Sequence, residues 1–113
     1  MKAWQHADDL AVAIYAASRE FPKAETYGLT QQLRRAAVSV PSNIAEGCAR
    51  ESRAEYLRFC DIARGSLSEA RYQLHLALRL GYLRDSSYRE LDQRADVVAR
   101  SLHGLMEAVR GEL

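Results

Sequence analysis

Arginine is the residue type with the most chemistry to offer in this chain: 14 of its 16 basic residues are arginine and two are lysine. A planar guanidinium grips phosphate or carboxylate through paired donors, which an ammonium group does less well. At helical spacing Arg53, Arg64 and Arg71 fall within about 20° of one another, and Arg71 has no acid three or four positions away. Arg35 and Arg50, with Arg34 beside them, extend the set. Arg35, Arg50, Arg53, Arg64 and Arg71 are therefore the candidate residues for binding nucleic acid or a protein partner. The competing reading is solvated helix faces and pairs between subunits with Asp61, Glu51 or Glu55.

A second group stands out because it costs stability. Pro41, Asn43, Glu46 and Gly47 lie inside a helical pattern in which Leu33, Ala37, Val40 and Ile44 make one apolar stripe. A proline in a helix interior costs roughly 3 kcal/mol, and Gly65, inside a later helix, about 1 kcal/mol against alanine. Such residues point to packing, assembly or binding. The spacing predicts close helix–helix packing at Gly47 and Gly65. Asn43, Glu46, Ser66 and Glu69 are then hydrogen-bonded at that crossing or at a subunit contact. A ligand or partner site at the same place is the functional alternative.

Catalytic patterns are scarce. His6, His75 and His103 are isolated, and neither a Glu-x-x-His pair, a glycine-rich phosphate loop nor a Ser/His/Asp set is present. Glu46 beside Cys48 does not make a thiol nucleophile, because a carboxylate raises a thiol pKa. Cys48 and Cys60 have no CxxC spacing and read as reduced core thiols. These patterns predict no enzyme, no metal, no cofactor and no small-molecule substrate.

Four helices must position these residues. The first spans about 4–20, with Trp4, Ala7, Ala11, Ile14 and Ser18 inward, and Phe21–Pro22 ends it. The second starts after Thr30 as N-cap and runs to about residue 50, kinked or reset at Pro41. Ser52 and Glu55 form a capping box for a third helix over 53–80, about 42 Å long, with Gly81 as its C′ residue. Its apolar residues cover more than one face, so it meets more than one neighbour. Ser87 and Glu90 form a second box, and the last helix carries Leu91, Ala95, Val98, Leu102, Leu105 and Val109 as a heptad seam to about residue 110. The expected fold is all-α: one domain over 1–113, an antiparallel up-down-up-down four-helix bundle with crossing angles near +20°.

Composition agrees with a globular chain: 113 residues, 48% hydrophobic, 27% charged, net charge +1. So small a net charge argues against a protein built wholly for nucleic acid, while leaving room for a local basic face. The N-terminal residues lack the apolar run of a signal peptide, and no apolar run reaches the roughly 18 residues of a membrane span. The expectation is a cytoplasmic protein without a membrane role.

Segment 29–47, followed by Arg50, Glu55, Phe59 and segment 63–69, resembles the bacterial four-helix-bundle family whose founding members are encoded in intervening sequences of 23S rRNA genes. Phe21–Pro22, Tyr27–Gly28 and Leu80–Gly81–Tyr82 also fit, so the resemblance spans nearly the whole chain. It implies a homopentamer, and no enzymatic activity is established for that family. It also implies kinship with the accessory proteins of diversity-generating retroelements, which bind a reverse transcriptase and nucleic acid through a basic surface. The expectation is a non-catalytic homo-oligomeric interaction protein that binds RNA, DNA or a nucleic-acid enzyme such as a reverse transcriptase. The alternative is a purely structural oligomer.

Overall fold

The computed structural model describes residues 1–111 and, among them, contains four long helices, one 3-10 turn and no strand. Helix α1 is Lys2–Ser18, the 3-10 turn is Lys23–Glu25, α2 is Leu29–Cys48, α3 is Arg53–Arg79 and α4 is Asp85–Val109. Each helix packs against its neighbours in the order α1, α2, α3, α4 and back to α1, and no Cα atoms of the diagonal pairs come within 8 Å. The short links at 49–52 and 80–84 force consecutive helices to run antiparallel. The result is a four-helix bundle of 45 × 25 × 18 Å.

The core is built from small and branched residues at helical spacing. Ala7, Leu10 and Ile14 of α1 meet Leu33, Val40 and Ile44 of α2, with Ala63, Leu67 and Leu74 of α3 and Val98 and Leu102 of α4. Two details of the expected faces change. Trp4 is 38% exposed, because Ala3 and Leu10 take the inward positions. In α4 the seam turns one residue at its end: Met106 is buried, while Leu105 and Val109 are only half-buried. A straight 3.6-residue helix drifts from a 3.5-residue repeat in this way.

The caps correct two expectations. Ser52 does cap α3, its Oγ accepting the Glu55 amide at 3.1 Å. Gly81 has φ +80, and its N–H donates to the Leu78 carbonyl while that of Tyr82 donates to Ala77, closing α3 in a Schellman turn. Thr30, however, is not the N-cap of α2. Gly28 holds that position, and Glu25 Oε1 accepts the Leu29 amide at 3.0 Å. Nor does Ser87 cap α4, which begins at Asp85 after Arg84. In both places a carboxylate near the helix start, Glu25 or Asp85, supplies the negative charge that the exposed amides favour.

Candidate nucleic-acid interface

Helix α2 passes Pro41 without interruption, and Pro41 is itself buried. Farther along, α2 comes close to α3 at Gly47. A Cβ on Gly47 would lie 3.0 Å from Phe59 Cβ and 3.1 Å from the Tyr56 carbonyl oxygen, so only glycine allows the two backbones this close. One helical turn back, Asn43 Nδ2 donates to the Ser39 carbonyl at 2.8 Å and to Ser39 Oγ at 2.9 Å. Ser39 Oγ in turn shares a 2.8 Å hydrogen bond with Ser66 Oγ on α3. Asn43, Ser39 and Ser66 therefore form a chain that pins α2 to α3.

Three members of that motif fall elsewhere. Gly65 is exposed, and a Cβ there would meet nothing within 4 Å, so it serves no packing within the subunit. Glu46 makes no hydrogen bond to α3; it accepts at 2.8 Å from Nη2 of Arg50, just past the end of its own helix. Glu69 is exposed on the rim of a shallow cleft lined also by Arg35, Ser39 and Ser66. Helical spacing shows which residues share a side of a helix, but which of them meets a neighbour depends on the crossing point.

The five candidate arginines do not form one surface. Arg35 borders the α2–α3 cleft, whereas Arg71 faces α4, where it pairs with Asp92 at 3.0 Å. By helical spacing Arg53 and Arg64 lie on Arg71's side of α3. Arg64 pairs with Asp61, and Arg50 with Glu46. Three of the five thus carry a carboxylate within the subunit, and two of those carboxylates were visible at i−3 and i−4. Asp92, 21 positions away, was not, because its pairing depends on the tertiary fold.

Around Phe59, Arg50 and Arg58 place their guanidiniums 4.8 and 4.6 Å from the ring centroid. Arg58 also holds Glu55, whose carboxyl is lowered mainly by that hydrogen bond. Burial pushes the neighbouring Tyr56 phenol up to about 12, with the Cys48 thiol adding to the rise. Burial likewise raises the Cys60 thiol, which makes it a poor nucleophile. Cys48 is exposed rather than part of the core, because it ends α2 beyond the crossing.

The cation that the sequence undervalued is Arg34. Its Nε donates to Ser18 Oγ at 2.9 Å and its Nη2 to the Tyr15 carbonyl at 3.2 Å. Its guanidinium carbon stands 4.5 Å from the Tyr15 ring centroid. All these partners are neutral. The available signal was a cluster without acids: none occupies positions 26–45 of the chain.

Among the described residues no group of three or more His, Cys, Asp or Glu side chains is arranged to hold a metal ion. No described helix is long and apolar enough to cross a membrane. The fold and the motif on α2 define a small all-α bundle protein whose distinctive polar chemistry lies along α2 and its neighbours. The chain belongs to the 23S rRNA-intervening sequence protein family, whose model matches residues 1–104. It is similar in fold to a crystal structure from Bacteroides thetaiotaomicron, a protein with unknown function from the S23 ribosomal protein family. The two share 21% identity and a TM-score of 0.82, over 92% of this chain and 97% of that one. No curated protein matches the chain.

Proposed function

We propose that this protein is a non-catalytic homo-oligomer, of five subunits, that binds RNA, DNA or a nucleic-acid enzyme such as a reverse transcriptase. The observation that carries the nucleic-acid part is the adjacent pair Arg34 and Arg35. No acid lines the cavity they share, and neither is among the ion pairs of the described residues. A guanidinium left without a carboxylate keeps its full charge for a phosphate. Repetition around an oligomer multiplies that pair, so a net charge of +1 per chain does not preclude phosphate binding.

The test is a titration of structured RNA and single-stranded DNA at rising salt. Binding through phosphates makes log K fall linearly with log salt, by roughly 0.7 per contact on a single strand. Arg35→Gln, on an exposed side chain, should reduce the slope by about that amount and leave the fold intact. Arg71→Gln should not, since Arg71 already holds Asp92.

The second reading is a purely structural oligomer. The pairing of Arg50, Arg64 and Arg71 within the subunit favours it. Absence of binding to both probes at about 50 mM salt, where phosphate contacts are strong, would decide for it.

A further inference from the structure

Between the end of α1, the residues just after the 3-10 turn and the first half of α2 lies a cavity of about 470 Å³. That volume falls within the range of roughly 300–1,000 Å³ typical of small-molecule sites. Its walls include Tyr15, Tyr27, Thr30, Arg34 and Arg35. Three features of this wall are unexplained by the fold.

First, Tyr27 is 88% exposed, so its ring contributes almost nothing to the core. Second, Arg34 is half-buried and held in place by neutral acceptors, which leaves a fixed positive charge with no counter-ion. Third, Thr30 is only 8% exposed, and its Oγ1 makes no hydrogen bond. A hydroxyl buried without a partner costs free energy, so a fold shaped by stability alone would place valine there. Each feature on its own has many explanations. Together they supply an aromatic face and two guanidiniums around one space, with an unpaired hydroxyl buried in its wall.

We propose that this cavity binds one nucleoside monophosphate unit, the base against Tyr27 and the Thr30 hydroxyl, the phosphate at Arg34 and Arg35. Bases stack on aromatic rings whatever their identity, and a guanidinium matches phosphate oxygens in pairs. The Thr30 hydroxyl has almost no accessible surface in the free protein, so a turn about its Cα–Cβ bond must bring it to the base, where it can donate or accept. An aliphatic ligand would leave the two charges unanswered, and a bare phosphate would leave the aromatic wall and Thr30 unused. The same unit occurs in single-stranded RNA and as a free nucleotide. Its occurrence in a strand rests on the nucleic-acid reading above; the cavity's fit to the unit does not.

The experiment is calorimetric titration of the intact protein with a ten-nucleotide oligoadenylate and, separately, with AMP. Tyr27→Ala and Thr30→Val are the variants, with melting curves to check folding. Each should weaken binding roughly tenfold, the scale of one lost stacking or base contact. Thr30→Val should at the same time melt no lower than the parent, because it removes an unpaired buried hydroxyl. If the oligomer binds and both folded variants bind it equally well, the cavity assignment is wrong and the nucleic-acid reading survives. If AMP binds, loses affinity in Tyr27→Ala, and the oligomer does not bind, the cavity assignment stands and the strand reading fails. Binding of neither at millimolar concentration overturns both.

Discussion

At the crossing of α2 and α3 the distance between two backbones is decided by one missing methyl group. Gly47→Ala would place a Cβ against the Tyr56 carbonyl, which as backbone cannot rotate aside as a side-chain end can. The substitution should cost about 1–3 kcal/mol, the range for overpacking a tight contact, read as a lower urea midpoint with unchanged m-value. An unaltered midpoint would show that the crossing relaxes freely. Glu25 makes a second prediction at this scale. The Leu29 amide and then the Tyr82 hydroxyl hold its carboxyl below the ordinary range. A lowered folded pKa contributes stability above the unfolded value, about 4.3, and loses it as pH falls through the folded value. Glu25→Gln should therefore lose less stability than the parent between pH 7 and pH 3; equal losses would remove Glu25 from the acid response. The sequence displayed Gly47 as an anomaly because its helix-propensity cost is local. It hid Glu25, whose partners lie four and 57 positions away.

At the scale of helices, periodicity and caps were legible to different degrees. The buried stripe of α2, Leu33, Ala37, Val40 and Ile44, follows from 3.6-residue spacing alone. The start of α3 was legible because Ser52 and Glu55 carry a complete local signal. The same pattern at Ser87 and Glu90 is silent, since α4 has already begun at Asp85 and Ser87 lies in its first turn. Local chemistry permits a start at either residue, and the length of the link from Gly81 selects between them. Ser52→Ala should thus destabilise the protein by about 1 kcal/mol, whereas Ser87→Ala should leave its melting temperature nearly unchanged. Equal losses from the two would mean that α4 is also capped from Ser87. Thr30 shows the same limit from the other side: it fits a cap by type, yet sits one residue inside α2 with its hydroxyl buried and unpaired. A cap signal predicts that a helix begins nearby, and tertiary contacts decide the residue.

At the scale of the molecule, α3 presents an outer stripe that the bundle does not use. Ile62, Gly65, Glu69 and Tyr72, all exposed, follow one another at intervals of three and four, so they share one side of the helix. Ile62 is 40% and Tyr72 60% exposed, and Leu80, just past the helix end, is 50% exposed. Scattered exposed apolar residues are ordinary on a monomer, but a stripe with a glycine at its centre suits the close approach of another helix. The expectation is that a second copy covers it, and that light scattering gives a mass near five times 12.7 kDa. Tyr72→Glu should lower that mass by placing a charge in the contact. Gly65→Leu is the sharper variant. Nothing in the subunit stands within 4 Å of the added carbon, and leucine is a better helix former than glycine. The isolated fold should therefore tolerate or gain from the change, and any loss of mass reports a neighbouring chain. Gly65→Leu at full oligomeric mass would move the contact to another face of the bundle, while a parent protein of 12.7 kDa at tens of micromolar would end the oligomeric proposal.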